Sequence, residues 1–261
     1  MTMDTKNKTK INRLISQWTA GTSGATSYLV ASGFSRDLLV KYKNSGWLES
    51  FGRGAYIRSG DKVEWPGALY TLQNQLSLSV HAGGKTALQL KGYAHYLPAR
   101  QHKVFLYGPR GLKLPSWFKE DRFGVKFIVT RTNLFPPDCR EGFTDFRERD
   151  FSLRISAPER AVMEMLHLVP KEVGFDEAQL IMENLVALRT DVVQRLLEAC
   201  RSIKVKRLFL YMAEKKDRTW LSKVDFSKVD LGKGKRMIVP HGRFDAKYQI
   251  TVPATREGTP S

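Results

Sequence analysis

Residues 34–58 read FSRDLLVKYKNSGWLESFGRGAYIR, and a change of period inside this stretch decides the fold. Ser35 can cap a helix over residues 36–44, because a hydroxyl there accepts from an otherwise unpaired amide of the first turn. Leu38, Leu39 and Tyr42 fall on the inner side of such a helix, and Arg36, Val40, Lys41, Lys43 and Asn44 lie elsewhere on its surface. Gly46 stops it. From Trp47 the helical spacing is lost. Leu48 and Phe51, then Tyr56 and Ile57 beyond Gly52-Arg53-Gly54, read as two short strands around a glycine-bounded tip.

Working outward, Ile11, Leu14, Ile15 and Trp18 form a helical stripe, and residues 19–24 break it. A second short helix follows, capped by a Ser or Thr within 22–26, burying Tyr28, Leu29 and Val30 and ended by Gly33. Three helices and then a hairpin is the order of a winged helix-turn-helix, in which the third helix enters the major groove. Pro66 opens a further helix through Leu72 and Leu76 to about residue 78; residues 80–84 look extended and 85–92 helical. From Lys103 the pattern changes. Strands are expected at 104–107, 125–129 and 151–155, with a short helix around Trp117 between the first two. Helices are expected at 158–168, 176–185, 191–199 and 205–213, and closing strands at 236–239 and 248–252 around a turn-like 241–245. The predicted class is α+β: an N-terminal winged helix-turn-helix domain with a short helical extension over residues 1–98, then a mixed α/β C-terminal domain over 99–253. Residues 1–7 and a tail at 254–261 are expected to be unstructured.

Charge indicates the partner. The 261 residues carry 43 Lys+Arg against 26 Asp+Glu, a net +17 with pI near 9.9. Residues 1–100 hold 13 basic and 5 acidic groups, 101–150 hold 10 and 7, 151–200 hold 5 and 8, and 201–261 hold 15 and 6. Excess at both ends around an acidic stretch favours a polyanion partner, and nucleic acid is the one expected. No apolar run approaches the ~18 residues of a membrane span, so no membrane partner is expected. The polar start MTMDTKNKTK has no secretory signal, and Cys139 and Cys200 cannot make a disulfide framework, so a cytoplasmic location is expected.

Catalytic signatures are missing. There is no GxxxxGK[ST], HExxH, GxSxG or CxxC. His81, His95, His102, His167 and His241 are scattered without ligand spacing. Glu141, Asp145, Glu148 and Asp150 alternate with Arg140, Arg147 and Arg149, which reads as a self-neutralising exposed strand. No catalytic residue, metal ligand or cofactor is assigned. DNA reading is placed on the 36–44 helix, where arginine suits guanine, asparagine suits adenine and lysine reaches phosphate. Arg53 between its glycines, with Arg58, would meet phosphates or enter a minor groove. Arg201, Lys204, Lys206, Arg207, Lys233, Lys235 and Arg236 form a candidate second basic surface for DNA or RNA.

The runs at 10–14 (KINRL), 34–39 (FSRDLL), 45–48 (SGWL), 51–56 (FGRGAY), 65–69 (WPGAL) and 81–88 (HAGGKTAL) resemble the N-terminal region of the AbiEi-type antitoxins. The resemblance covers about residues 8–98; the remainder is similar mainly in order and length. It implies a cytoplasmic, non-enzymatic antitoxin of a type IV toxin-antitoxin system associated with abortive phage infection. Such proteins bind inverted repeats upstream of their operon and repress it. Their C-terminal domain counteracts a nucleotidyltransferase toxin, AbiEii, without requiring a stable complex. Carried over by position, Arg36, Lys41 and Lys43 would be recognition-helix contacts, and Arg53 and Arg58 wing contacts. The expected partners are double-stranded operator DNA and that toxin, with either dimers or monomers binding DNA cooperatively. Two rivals are a winged-helix, ligand-responsive repressor with no toxin partner, and a nuclease using the acids at 141–150.

Overall fold

Trp18 belongs to the first core, its indole nitrogen donating to Thr22 O at 3.0 Å. In the computed structural model, which describes residues 3–93, 103–119, 122–216 and 219–254, the helical stripe predicted around it is helix α1 (Met3–Gln17). A bridge strand β1 (Gly24–Ala25), helices α2 (Thr26–Ala31) and α3 (Arg36–Asn44), and strands β2 (Leu48–Ser50) and β3 (Ala55–Arg58) follow. The three strands form an antiparallel sheet in the order β1-β3-β2, with Ala25 opposite Ala55 and Ser50 opposite Tyr56. Ile11, Leu14, Trp18, Leu29, Phe34, Leu39, Tyr42 and Leu48 close one apolar cluster, so α1, α2, α3 and the hairpin share a core. Burial of that many large side chains, each contributing roughly 1.5–3 kcal/mol, offsets the low intrinsic stability of a six-residue helix and a short hairpin.

Cα packing divides the chain into two units: residues 1–81, 111–126 and 145–154, and residues 82–110, 127–144 and 155–261. Besides the core just described, the first unit holds α4 (Trp65–Tyr70), which opens with Pro66 and continues as a π-helical turn, Thr71–Gln75. It also holds a 3-10 turn, Ser116–Lys119. Phe51 of the hairpin packs on Trp117 and Phe123, with ring centroids 6.0 and 5.9 Å apart.

The second unit is centred on α6 (Pro158–His167), buried from Glu159 to Leu166. It packs against α5 (Gly84–Leu90), α7 (Phe175–Asn184), α8 (Thr190–Ala199) and α9 (Ile203–Glu214). Charges on α6 are paired as burial requires: Glu159 accepts from Arg189, and Arg160 Nε donates to Glu164 Oε1 at 3.1 Å. Of the remaining strands, β4 (His81–Ala82), β5 (Lys103–Gly108) and β6 (Lys126–Arg131) run side by side in the order β6-β5-β4, and β7 (Phe143–Glu148) and β8 (Phe151–Ser156), most of whose residues fall in the first unit, pair with each other. A small sheet of β9 (Arg236–Met237), β10 (Arg243–Asp245) and β11 (Ile250–Val252) ends the chain in the order β10-β11-β9. The molecule is mixed α+β.

The structure departs from the sequence reading in several places. Residues 3–7 belong to α1. In α2 only Leu29 is buried, whereas Tyr28 and Val30 are exposed, because a helix of under two turns offers one inward position. The helix expected to reach residue 78 widens at Thr71, whose hydroxyl also bonds Ser23 O at 2.6 Å. Residues 243–245 are strand rather than turn. The expected boundary near residues 98 and 99, and His95 and His102, lie outside the described residues.

Candidate nucleic-acid interface

Helix α3 begins where Ser35 Oγ accepts from Leu38 N, and its Leu39 and Tyr42 are buried. Successive residues turn by about 100°, so the face opposite Leu39 and Tyr42 is centred on Asp37 and Asn44, with Val40 beside them. Arg36 and Lys43 flank that line on one side, and Lys41 flanks it on the other. All six are exposed, Val40 at 43%. Lys41 and Lys43 lie in the last turn, where cations are favoured by the carbonyl end of the helix. Asp37 is the one acid on the helix. A face carrying a fork donor, an amide, an aliphatic side chain and two ammonium groups around the Asp37 carboxylate has the chemistry to read guanine, adenine and a thymine methyl, to accept from a cytosine amine and to reach phosphates.

The hairpin presents Arg53 at its tip. Gly52 and Gly54 both have positive φ, +93° and +97°, a conformation that side chains oppose, and a Cβ on Gly54 would meet nothing within 4 Å. The tip is therefore open, and Arg53 is exposed on it. At the base of the hairpin, hydrogen bonds from the Gly60 amide and the Ser59 hydroxyl hold the Glu49 carboxyl below the usual carboxylate range.

Arg58 is placed differently. Its Nε and Nη2 donate to Asp61 Oδ2 and Oδ1 at 2.9 and 3.1 Å, and both side chains are more than three-quarters covered. The fork that would grip a phosphate is thus engaged with a carboxylate. One cation that sequence reasoning did not single out stands by the hairpin: the exposed Arg122 guanidinium lies 4.5 Å from the Phe51 ring centroid. No local pattern marks it, because the contact joins residues 71 positions apart.

The expected C-terminal basic surface separates into two sets, which corrects its membership. Lys206 and Arg207 are buried at 4% and 2% exposure. Lys206 Nζ donates to Asp230 O at 3.1 Å. Arg207 donates to the carbonyls of Leu231 (2.7 Å), Gly234 (2.6 Å), Gly232 (3.0 Å) and Gln249 (3.3 Å). Lys204 is half-buried and donates to His167 O and Val169 O at 2.8 and 2.7 Å. Burial, then the nearby Lys171, lowers its pKa. These three cations hold backbone together inside the second unit and present no charge to a partner. Arg201, Lys233, Lys235 and Arg236 are exposed.

Among the described residues, no group of three or more His, Cys, Asp and Glu side chains could hold a metal ion. Glu141 lies 3.9 Å from Arg195. Asp145, Glu148 and Asp150 lie on or beside β7, where exposed and half-buried positions alternate. Among these residues, too, no helix is long and apolar enough to cross a membrane.

Residues 101–253 match a family model described as transcriptional regulator, AbiEi antitoxin, type IV TA system. Residues 7–99 match the model of the AbiEi antitoxin N-terminal domain. Among solved structures, the chain is similar to the crystal structure of the RV2827C protein from Mycobacterium tuberculosis. The TM-score is 0.58 over 94% of this chain and 90% of that one, at 14% identity, a likeness of fold alone. No match was found among curated proteins.

Proposed function

This chain belongs to the AbiEi family of transcriptional-regulator antitoxins of type IV toxin-antitoxin systems, and from that premise we propose that it represses its own operon by binding inverted repeats in double-stranded DNA. The exposed face of α3 beside an arginine-tipped hairpin carries this reading. Arg36 and Asn44 contact base edges in the major groove, and Val40 packs on a thymine methyl. Lys41, Lys43 and Arg53 neutralise phosphates. Residues 1–98 act as a winged helix-turn-helix DNA-binding domain; residues 99–253 counteract a nucleotidyltransferase toxin. The protein works in the cytoplasm, where its operator is, and carries out no reaction of its own.

Anisotropy titrations of labelled promoter and scrambled duplexes against the full chain, at several salt concentrations, test the DNA reading. Tighter promoter binding that Arg36→Ala weakens is expected; equal affinity for both duplexes would sink it. Co-expression with the adjacent nucleotidyltransferase reading frame tests the antitoxin reading. Growth should be restored by the full chain, and continued toxicity at matched protein levels would refute that part.

A further inference from the structure

The small sheet that ends the second unit carries an outward row of side chains that repression does not use. In its register Met237 of β9 lies opposite Thr251 of β11, and Thr251 lies opposite Phe244 of β10. Residues opposite one another in a sheet share a face. Ile250 and Val252, on either side of Thr251 in β11, are fully buried, so Met237, Thr251 and Phe244 face outward. Met237 is 70% exposed and Phe244 41%.

Lysines accompany this apolar row. The Lys235 ammonium lies 4.9 Å from the Phe244 ring centroid, and Lys233 is exposed two residues before it, whereas Arg243, opposite Val252, belongs to the other row. Asp245 belongs to the opposite row, with Ile250 and Arg236, and accepts from Tyr248 N at 2.8 Å. Residues 201–261 as a whole hold 15 basic against 6 acidic groups. The buried Arg207 fixes the platform, since its four carbonyl acceptors lie in the loop entering β9 and immediately before β11.

We infer that this sheet face binds single-stranded RNA, with one base stacked on Phe244, its neighbour packed against Met237, and phosphates held by Lys233 and Lys235. An aromatic ring on an open sheet face offers a base a stacking surface, and the adjacent cations complement the backbone. A duplex cannot use such a ring, because its base faces are already stacked on one another. RNA is the polynucleotide that a cell holds single-stranded in bulk. An arriving phosphate draws the Lys235 ammonium off the ring and uncovers it. This inference is independent of the α3 surface, which lies in the other unit.

The test uses the full chain and a 12-nucleotide mixed-sequence RNA carrying one 2-aminopurine, whose fluorescence falls on stacking. Salt-dependent binding with quenching is expected. Phe244→Ala and Phe244→Leu should each weaken binding at least fivefold and abolish quenching, Phe244→Tyr should retain both, and promoter binding should be unchanged throughout. Replacing Lys233 and Lys235 together by Ala should lower the salt slope by about two. Binding within twofold of wild type for Phe244→Leu would overturn the proposal. Equal affinity for the same sequence as duplex RNA, or tighter binding of the matching single-stranded DNA, would overturn it as well.

Discussion

A buried guanidinium whose donors all meet backbone carbonyls has a different task from an exposed one, and Arg207 and Arg53 show the contrast in one chain. Replacing Arg207 by Met keeps the apolar stem and removes the donors to the carbonyls of Leu231, Gly232 and Gly234, while that of Gln249 keeps its bond from Arg236 N. Orphaned buried acceptors cost about 1–3 kcal/mol each but do not add fully. The expected loss is therefore about 3–5 kcal/mol of stability, read as a lower denaturant midpoint, with Arg207→Lys intermediate because an ammonium lacks the planar fork. Arg53→Ala should leave the midpoint unchanged, weaken binding to all DNA sequences alike and reduce the salt slope by about one. Arg36→Ala should cost about 1–3 kcal/mol on the promoter and relax discrimination at one base pair. Arg58 supplies the control: its fork is engaged with Asp61, so Arg58→Ala should move thermal stability more than DNA affinity. If Arg58→Ala instead reduced affinity as strongly as Arg53→Ala with no change in melting, the fork with Asp61 would not be the arrangement in solution.

Helix α6 ends at His167, and this element gives the second unit its expected pH dependence. Burial, and then the Lys204 ammonium, lowers the His167 pKa, so the folded chain favours neutral imidazole. Between the folded value and the ordinary value of about 6.5, the unfolded chain binds more protons, so stability rises with pH there. The contribution is complete above about pH 6.5 and is lost as pH falls through the folded pKa. His167→Gln should flatten the dependence of the denaturant midpoint between about pH 7 and 5; an unchanged slope would remove His167 as its source. At the other end of the same packing, Gly84 opens α5 with φ +51°, donates to Glu164 Oε2 at 3.1 Å, and would bring a Cβ within 2.6 Å of the Tyr107 hydroxyl. Gly84→Ala should cost about 3 kcal/mol through strain and overlap together. The HAGGKTAL run that carried the family resemblance thus has a packing reason inside the second unit. Such elements were legible to differing degrees for physical reasons. Helices α3 and α6 to α9 announce themselves through apolar side chains three and four apart. Strand β10 is three residues long, too short for alternation to register, so its outward Phe244 passed as part of a turn. Lys206 and Arg207 read as surface because their acceptors are carbonyls 24 to 42 residues later, which leave no mark in the side-chain pattern.

At the scale of the whole chain, the packing units and the family models cut the sequence in different places. The models divide near residue 100, whereas the first unit takes in residues 111–126 and 145–154 from beyond that point. The hairpin proposed to contact DNA depends on those later residues. Phe51 is covered by Trp117 and Phe123, Arg122 lies over its ring, and Tyr70 packs on Phe151 with ring centroids 5.2 Å apart. Gln73 exchanges two hydrogen bonds with the backbone of Arg154, at 2.8 and 3.0 Å. A fragment of residues 1–98 would contain every side chain proposed to read DNA and yet expose Phe51. We therefore expect it to melt at a lower temperature and bind promoter DNA more weakly than the full chain. Trp117→Ala in the full chain should reproduce much of this, since truncating a buried tryptophan costs about 3–5 kcal/mol. That substitution removes no charge, so its effect on affinity should persist at high salt, unlike that of Arg53→Ala. Thermal melts and titrations of both proteins at two salt concentrations separate the possibilities. A fragment that melts and binds like the full chain would show that the later segments only rest against the DNA-reading portion, and the hairpin would then owe its geometry to residues 1–98 alone.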